Sequence, residues 1–127
     1  MGRITESDIL KACKHRLDYW ESQNVIIHYD RINSGKMSIG GRWIQMAKAG
    51  TPDIIAYLRY NNICWVLFFE CKRDEKAKWS DEQKKFCDKF TGFENVIYTL
   101  VISHKQIDQV IEGITNHTEN IIGSIEI

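Results

Sequence analysis

The chemistry latent in this sequence is concentrated in Asp53, Glu70 and Lys72, which stand in Gly50-Thr51-Pro52-Asp53 and Glu70-Cys71-Lys72. Two apolar runs, Asp53 to Leu58 and Cys64 to Cys71, flank Asn61-Asn62. Asparagine tolerates the positive φ of a tight primed turn, so the spacing predicts a β-hairpin. Counting outward from a two-residue loop pairs Tyr60 with Ile63 and sets Asp53 opposite Glu70. Directly opposed residues share a face with Cβ atoms roughly 4.5–5.5 Å apart, and strand alternation adds Lys72 to that face. Like charges so opposed weaken a hairpin and raise one carboxyl pKa unless a cation neutralises them. The pair therefore asks for a metal ion. The bland alternative is a turn-ending Asp53 with a surface Glu70–Lys72 ion pair. The proline turn, the register and the lysine together favour the site.

The surrounding elements must deliver further groups to that face. Thr5, with Asp8 three residues on, opens a helix from about Glu6 to Glu21, and Ile9, Leu10, Cys13, Leu17 and Trp20 form its apolar stripe. Glu6 precedes Ile9, Leu10 and Cys13 by three, four and seven residues, which puts it on the inward stripe; complementing the helix dipole is an equal reading. Val25 to Tyr29 reads as a short strand. Asn33 to Gly41 reads as a loop or loose hairpin leading into Trp43-Ile44-Gln45-Met46. The run Cys64 to Phe69 is apolar on both faces, the mark of a central strand. Ser80 with Gln83 is a capping box opening a helix to about Phe90. Gln83 either only closes that box or also faces the sheet, since it precedes Phe86, Cys87 and Phe90 at helical spacing. Val96 to Ile102 is a further buried strand, parallel to the preceding one through a right-handed crossover. Ser103 caps a last helix through Ile107, Val110, Ile111 and Ile114, and Ile121 to Ile127 is expected as an edge strand. The sum is a single α/β domain over residues 1–127, a mixed central sheet flanked by helices.

Bulk properties exclude several classes. The chain has 127 residues, 43% of them hydrophobic and 27% charged, with 17 basic and 17 acidic side chains. That suits one domain with a real core and gives no overall field for nucleic acid or acidic membranes. The distribution is uneven. Arg31, Lys36, Arg42 and Lys48 have no acid among them, whereas Asp108, Glu112, Glu119 and Glu126 have no base among them. Cys13, Cys64, Cys71 and Cys87 lack C-x-x-C spacing, which points to free, mostly buried thiols in a reducing compartment rather than to structural zinc. The longest apolar run, Ile63 to Phe69, falls far short of the roughly 20 residues that span a bilayer. A cytoplasmic protein is expected, in the host cytoplasm if phage-encoded.

Pro52-Asp53 followed by Glu70-x-Lys72 resembles the PD-(D/E)XK nuclease signature. The wider order resembles the virus-type replication-repair nuclease (VRR-NUC) family: Glu6 on the first helix, Arg31-x-Asn33-x-Gly35, Gly50-x-Pro52-Asp53, Glu70-x-Lys72 and Ser80-x-x-Gln83. The Asn61-Asn62 turn departs from the family's Gly-containing hairpin, while Arg73 stands where the family often has a small or charged residue after the lysine. The resemblance implies a restriction-endonuclease-like core and a metal-dependent phosphodiesterase acting on DNA, and carboxylate oxygens suit Mg²⁺ or Mn²⁺. Asp53 and Glu70 are then direct ligands, with the main-chain carbonyl of Cys71 as a third. Glu6, with Asp8 as its neighbour and rival, binds through water or holds a second ion. Lys72 orients the attacking water or neutralises the transition state, and Gln83 positions one of them. Arg31, Asn33, Lys36, Arg42, Lys48 and Arg73 are the candidate phosphate contacts, which position without reading sequence. The resemblance further implies a homodimer cutting branched DNA such as a four-way junction, with no organic cofactor and no membrane. Flaps, linear ends or RNA as substrate, or an inactive binding module of the same fold, are the alternatives.

Overall fold

A computed structural model describes residues 3–32 and 36–126. Helix α1 (Glu6–Ser22) starts at a capping box in which Thr5 and Asp8 exchange hydrogen bonds, as the spacing predicts. Strand β1 (Ile26–Arg31) is followed by a small ribbon, β2 (Lys36–Ile39) and β3 (Arg42–Gln45). The long hairpin is β4 (Ile54–Tyr60) and β5 (Ile63–Cys71); α2 (Asp81–Asp88), β6 (Val96–Val101) and α3 (Lys105–Glu126) complete the chain.

The central sheet has the order β1-β4-β5-β6, with β6 parallel to β5 and the other neighbours antiparallel. Asn61 and Asn62 both take positive φ, 52° and 60°, and Tyr60 pairs with Ile63, so the hairpin has the register counted from the turn. Alternation along β4 and β5 sends Ile54, Ala56, Leu58, Leu67, Phe69 and Cys71 to one face, where they bury against Ile9, Cys13 and Leu17 of α1 and Ile107, Ile111 and Ile114 of α3. Asp108 ties those two helices, accepting from Arg16 Nε at 3.0 Å and Trp20 Nε1 at 2.7 Å. On the opposite face Phe68 packs against Phe86, Phe90 and Tyr98, so α2 roofs the side that bears Glu70.

Two expectations need correction. The stretch from Ile121 continues α3 to Glu126 instead of forming an edge strand, and Ile127 lies outside the described residues. Extending an existing helix adds one bond per residue fixed, and no proline interrupts it; Thr115 Oγ1 even donates back to Ile111 O within the ladder. The thiols are also less uniformly buried than expected. All four are free, but Cys87 on α2 is half-buried and Cys64 is exposed, the latter because β6 covers β5 only from Val66 onward and leaves the first residues of that strand at the surface.

Candidate active site on the β4–β5 hairpin

At the open end of the hairpin, Asp53 follows the buried Pro52 and immediately precedes β4. Its Oδ2 accepts the Cys71 N–H at 2.8 Å, so the side chain reaches across the strand pair to the residue after Glu70. One carboxylate oxygen is thereby fixed by the sheet. Glu70 is 6% exposed, the one buried charged residue among those described. Burial first, then hydrogen bonding and charge repulsion from Asp53, push its carboxyl up to about 8. Lys72 and Gln83 act in the other direction on the same group. Glu70 is thus the acid whose charged form this site disfavours, the condition expected of a carboxyl group forced under cover beside another.

Gln83 satisfies both readings of its spacing. Its Oε1 accepts from Ser80 N at 2.9 Å to close the capping box, while its Nε2 donates to Glu70 Oε2 at 2.8 Å. The amide is held at one end by the helix start and holds the carboxylate at the other. Lys72 is half-buried beyond the end of β5, where its backbone N–H donates to Val101 O at 2.8 Å and anchors the turn-off from the sheet.

Gly50 fixes how the Asp53 segment meets α2. It has φ +90°, and a Cβ there would lie 2.2 Å from the carbonyl oxygen of Glu82 and 2.6 Å from its carbonyl carbon. Backbone touches backbone, one residue before Gln83. Gly50→Ala therefore strains φ and forces the loop off α2. We expect a loss on the order of 2 kcal/mol or more, seen as a lower urea midpoint, with activity falling further than stability as Asp53 shifts. An unchanged midpoint would show that the loop yields freely.

Other predicted residues are less closely gathered. Glu6 is exposed in the first turn of α1, where it lines a cavity of about 440 Å³ with Arg3, Arg73, Asp74 and Lys76. Asp8 is engaged in the Thr5 capping box, which leaves Glu6 as the first-turn acid facing that cavity. Among the described residues no three His, Cys, Asp or Glu side chains are grouped so as to hold a metal ion, so Glu6 does not join Asp53 and Glu70 in a single cluster. Arg31, Arg42, Lys48 and Arg73 are exposed, Lys36 begins β2, and Asn33 lies outside the described residues. The guanidinium of Arg31 donates to the Ile32 carbonyl, and Arg73 lies 3.6 Å from Asp74.

Tyr98 was not legible as part of this site. Its hydroxyl is buried with no hydrogen-bond partner, and burial followed by the charges of Glu70 and Asp53 pushes its pKa up. The β5–β6 register, Phe68 against Tyr98 and Glu70 against Leu100, puts it on the Glu70 face. No turn encodes that register, since a helix crossover separates the strands.

The two carboxylates suit a hard dication. Mg²⁺ is held by one or two protein carboxylates with water completing the shell, and Asp53 and Glu70 each retain one carboxylate oxygen not used in the bonds to Cys71 and Gln83. An acid–acid–lysine set on a central hairpin, backed by two helices and roofed by a third, defines a PD-(D/E)XK nuclease core. A solved structure described as a VRR_NUC domain matches 84% of this chain and 94% of its own length, with a TM-score of 0.53 and 25% sequence identity. No family sequence model and no curated protein matches the chain. The fold is thus that of a VRR_NUC nuclease domain, and the ordered motif supports assignment to that family.

Proposed function

We propose that this chain is a Mg²⁺- or Mn²⁺-dependent endonuclease acting on branched DNA. The observation that carries the reading is the opposed Asp53–Glu70 pair, held by Cys71 N–H and Gln83 Nε2, with Lys72 beside it. Asp53 and Glu70 would hold the ion, the Cys71 carbonyl would add a third ligand, and Glu6 would act through water or on a second ion. Such an ion withdraws charge from the phosphodiester and lowers the pKa of the attacking water. Lys72 places a cation where negative charge grows on the phosphoryl oxygens. Gln83 keeps Glu70 oriented. Arg31, Asn33, Lys36, Arg42, Lys48 and Arg73 would contact phosphates, and no recognition-helix pattern supplies base readout, which favours a substrate recognised by shape. A homodimer would place two sites for paired nicks on a four-way junction, as the family resemblance implies. No described helix is long and apolar enough to cross a membrane.

The test is incubation with a four-way junction, a flap, a linear duplex and single-stranded RNA, each with EDTA, Mg²⁺ or Mn²⁺. Metal-dependent cutting of the junction in preference to the rest is the expected result. Binding without cleavage in every metal would sink the enzyme reading, and preferred cutting of another substrate would reassign its target.

A further inference from the structure

The β2–β3 ribbon stands apart from the central sheet as a two-stranded sheet of its own. A lone two-stranded ribbon is marginal in water, so one that carries large apolar groups calls for a partner. Its register opposes Met37 to Ile44, Ser38 to Trp43 and Ile39 to Arg42. Opposed pairs share a face, so Met37, Ile39, Arg42 and Ile44 lie on one side and Trp43 on the other. Trp43 is 73% exposed and Ile39 52%. The turn is Gly40-Gly41, at φ 58° and 77°, with nothing within 4 Å of a Cβ built on either. The tip is narrow and open, with Ile39, Arg42 and Trp43 at its shoulders.

Both roots of this ribbon meet the candidate active site. Where the chain leaves β1, Ile32 N donates to Asp53 O at 2.6 Å. Where it returns from β3, Gly50 is pressed against Glu82, next to Gln83. The arm is therefore rooted on the segments that position the carboxylate pair. Its charge is one-sided: from Arg31 to Pro52 the chain carries Arg31, Lys36, Arg42 and Lys48 with no acid. An acid-free basic stretch that also presents an exposed indole suits a ligand that is polyanionic and offers flat π-faces. A second copy of the chain would bring the same positive ribbon to the contact.

Resting on the nuclease reading above, we propose that the β2–β3 ribbon is a nucleic-acid-binding arm whose Trp43 stacks on a base exposed at a branch point. Intact duplex hides its base faces within the stack, whereas an unstacked junction presents them at the crossover. The ribbon thereby supplies discrimination that the carboxylate pair cannot, since that pair meets only phosphate chemistry.

The experiment uses the Lys72→Ala chain, so that DNA stays uncut, with a four-way junction carrying 2-aminopurine at the crossover and a linear duplex of the same length. Adding Trp43→Ala should weaken junction binding about 10-fold, within the range of one base–aromatic stack, remove the 2-aminopurine response and leave duplex binding within about 2-fold. Trp43→Phe should recover most of the loss. An exposed site tolerates these changes, so the thermal midpoint should stay put. Unchanged junction binding in Trp43→Ala overturns the proposal. So does conversion of a dimeric parent to monomer by the same substitution, which would assign the ribbon to a second copy. Failure of the parent to bind any DNA would instead strike the nuclease reading itself, before a ribbon variant is made.

Discussion

Replacing Lys72 with alanine should lower the rate of strand cleavage on the order of 100- to 1000-fold while leaving DNA affinity within a few-fold of the parent. The side chain is half-buried beside Glu70 at the end of β5 and offsets the acid pair's negative charge. It is not needed to hold the strand there. That task falls to its backbone N–H, which bonds Val101 O and survives the substitution. The variant should therefore melt like the parent. Its metal affinity should be unchanged or higher, because deleting a cation beside two carboxylates removes a competitor for their field. This divides the roles sharply: a group that merely neutralises the site would strengthen metal binding at no cost in rate, whereas one that meets the transition state costs rate alone. Single-turnover cleavage with saturating protein, alongside calorimetric Mn²⁺ binding, separates the two. A full rate with Lys72→Ala would remove this residue from the chemistry. Lys72→Arg should recover only part of the rate, since a planar guanidinium keeps the charge but not the compact tetrahedral donor.

The parts of the fold written in local sequence are the parts that could be read from it. Asn61-Asn62 fixes a hairpin register because both residues accept positive φ, and a register counted from a two-residue turn leaves little room for slippage. The capping boxes at Thr5 and Ser80 likewise close within three residues. What resisted reading depends on contacts between distant segments. Spacing could not choose between a capping Gln83 and a sheet-facing one, because the side chain does both, with its oxygen turned to Ser80 and its nitrogen to Glu70. The Gly50 contact with Glu82 needs α2 docked over the sheet, and Tyr98 needs a parallel register set by a crossover. Ile121 onward misled in another way: β-branched residues fit a strand, yet helix continuation from a docked first half overrode that preference. Glu6 shows the limit of the 3.6-residue stripe. Ile9 and Cys13 are buried, but Glu6, at the first position of the helix, is exposed and faces the cavity beside Arg73.

Glu70→Gln should abolish metal-dependent cleavage and make the metal-free protein more stable, most clearly at pH 8. Glu70 in the folded chain titrates near 8 against an ordinary 4.5, because burial and Asp53 both disfavour its charged form. The folded state thus holds this proton more tightly than the unfolded state does. Its stabilising contribution is complete below the ordinary value and is lost as pH rises through about 8. The parent should lose thermal stability across that interval in EDTA, with the other carboxylates superimposing their own slopes. Glutamine removes the loss: its oxygen can still accept from Gln83 Nε2, and its amide can donate to Asp53 in place of the Glu70 carboxyl proton. A gain on the order of 1–2 kcal/mol at pH 8 is expected, small because water at the rim of the site screens the pair, and a few degrees in the melting midpoint would report it. Divalent ions should act oppositely on the two proteins. In the parent, Mg²⁺ or Mn²⁺ competes with the proton, so binding releases it, affinity climbs with pH up to about 8, and the midpoint rises with metal. In Glu70→Gln the midpoint should barely respond. Asp53→Asn is the companion variant, since its amide oxygen can keep accepting the Cys71 N–H that Asp53→Ala would leave unpaired. A variant midpoint that falls between pH 5 and 8 as steeply as the parent's would place the proton on some other group. Undiminished stabilisation by Mg²⁺ in both variants would move the metal away from this hairpin altogether.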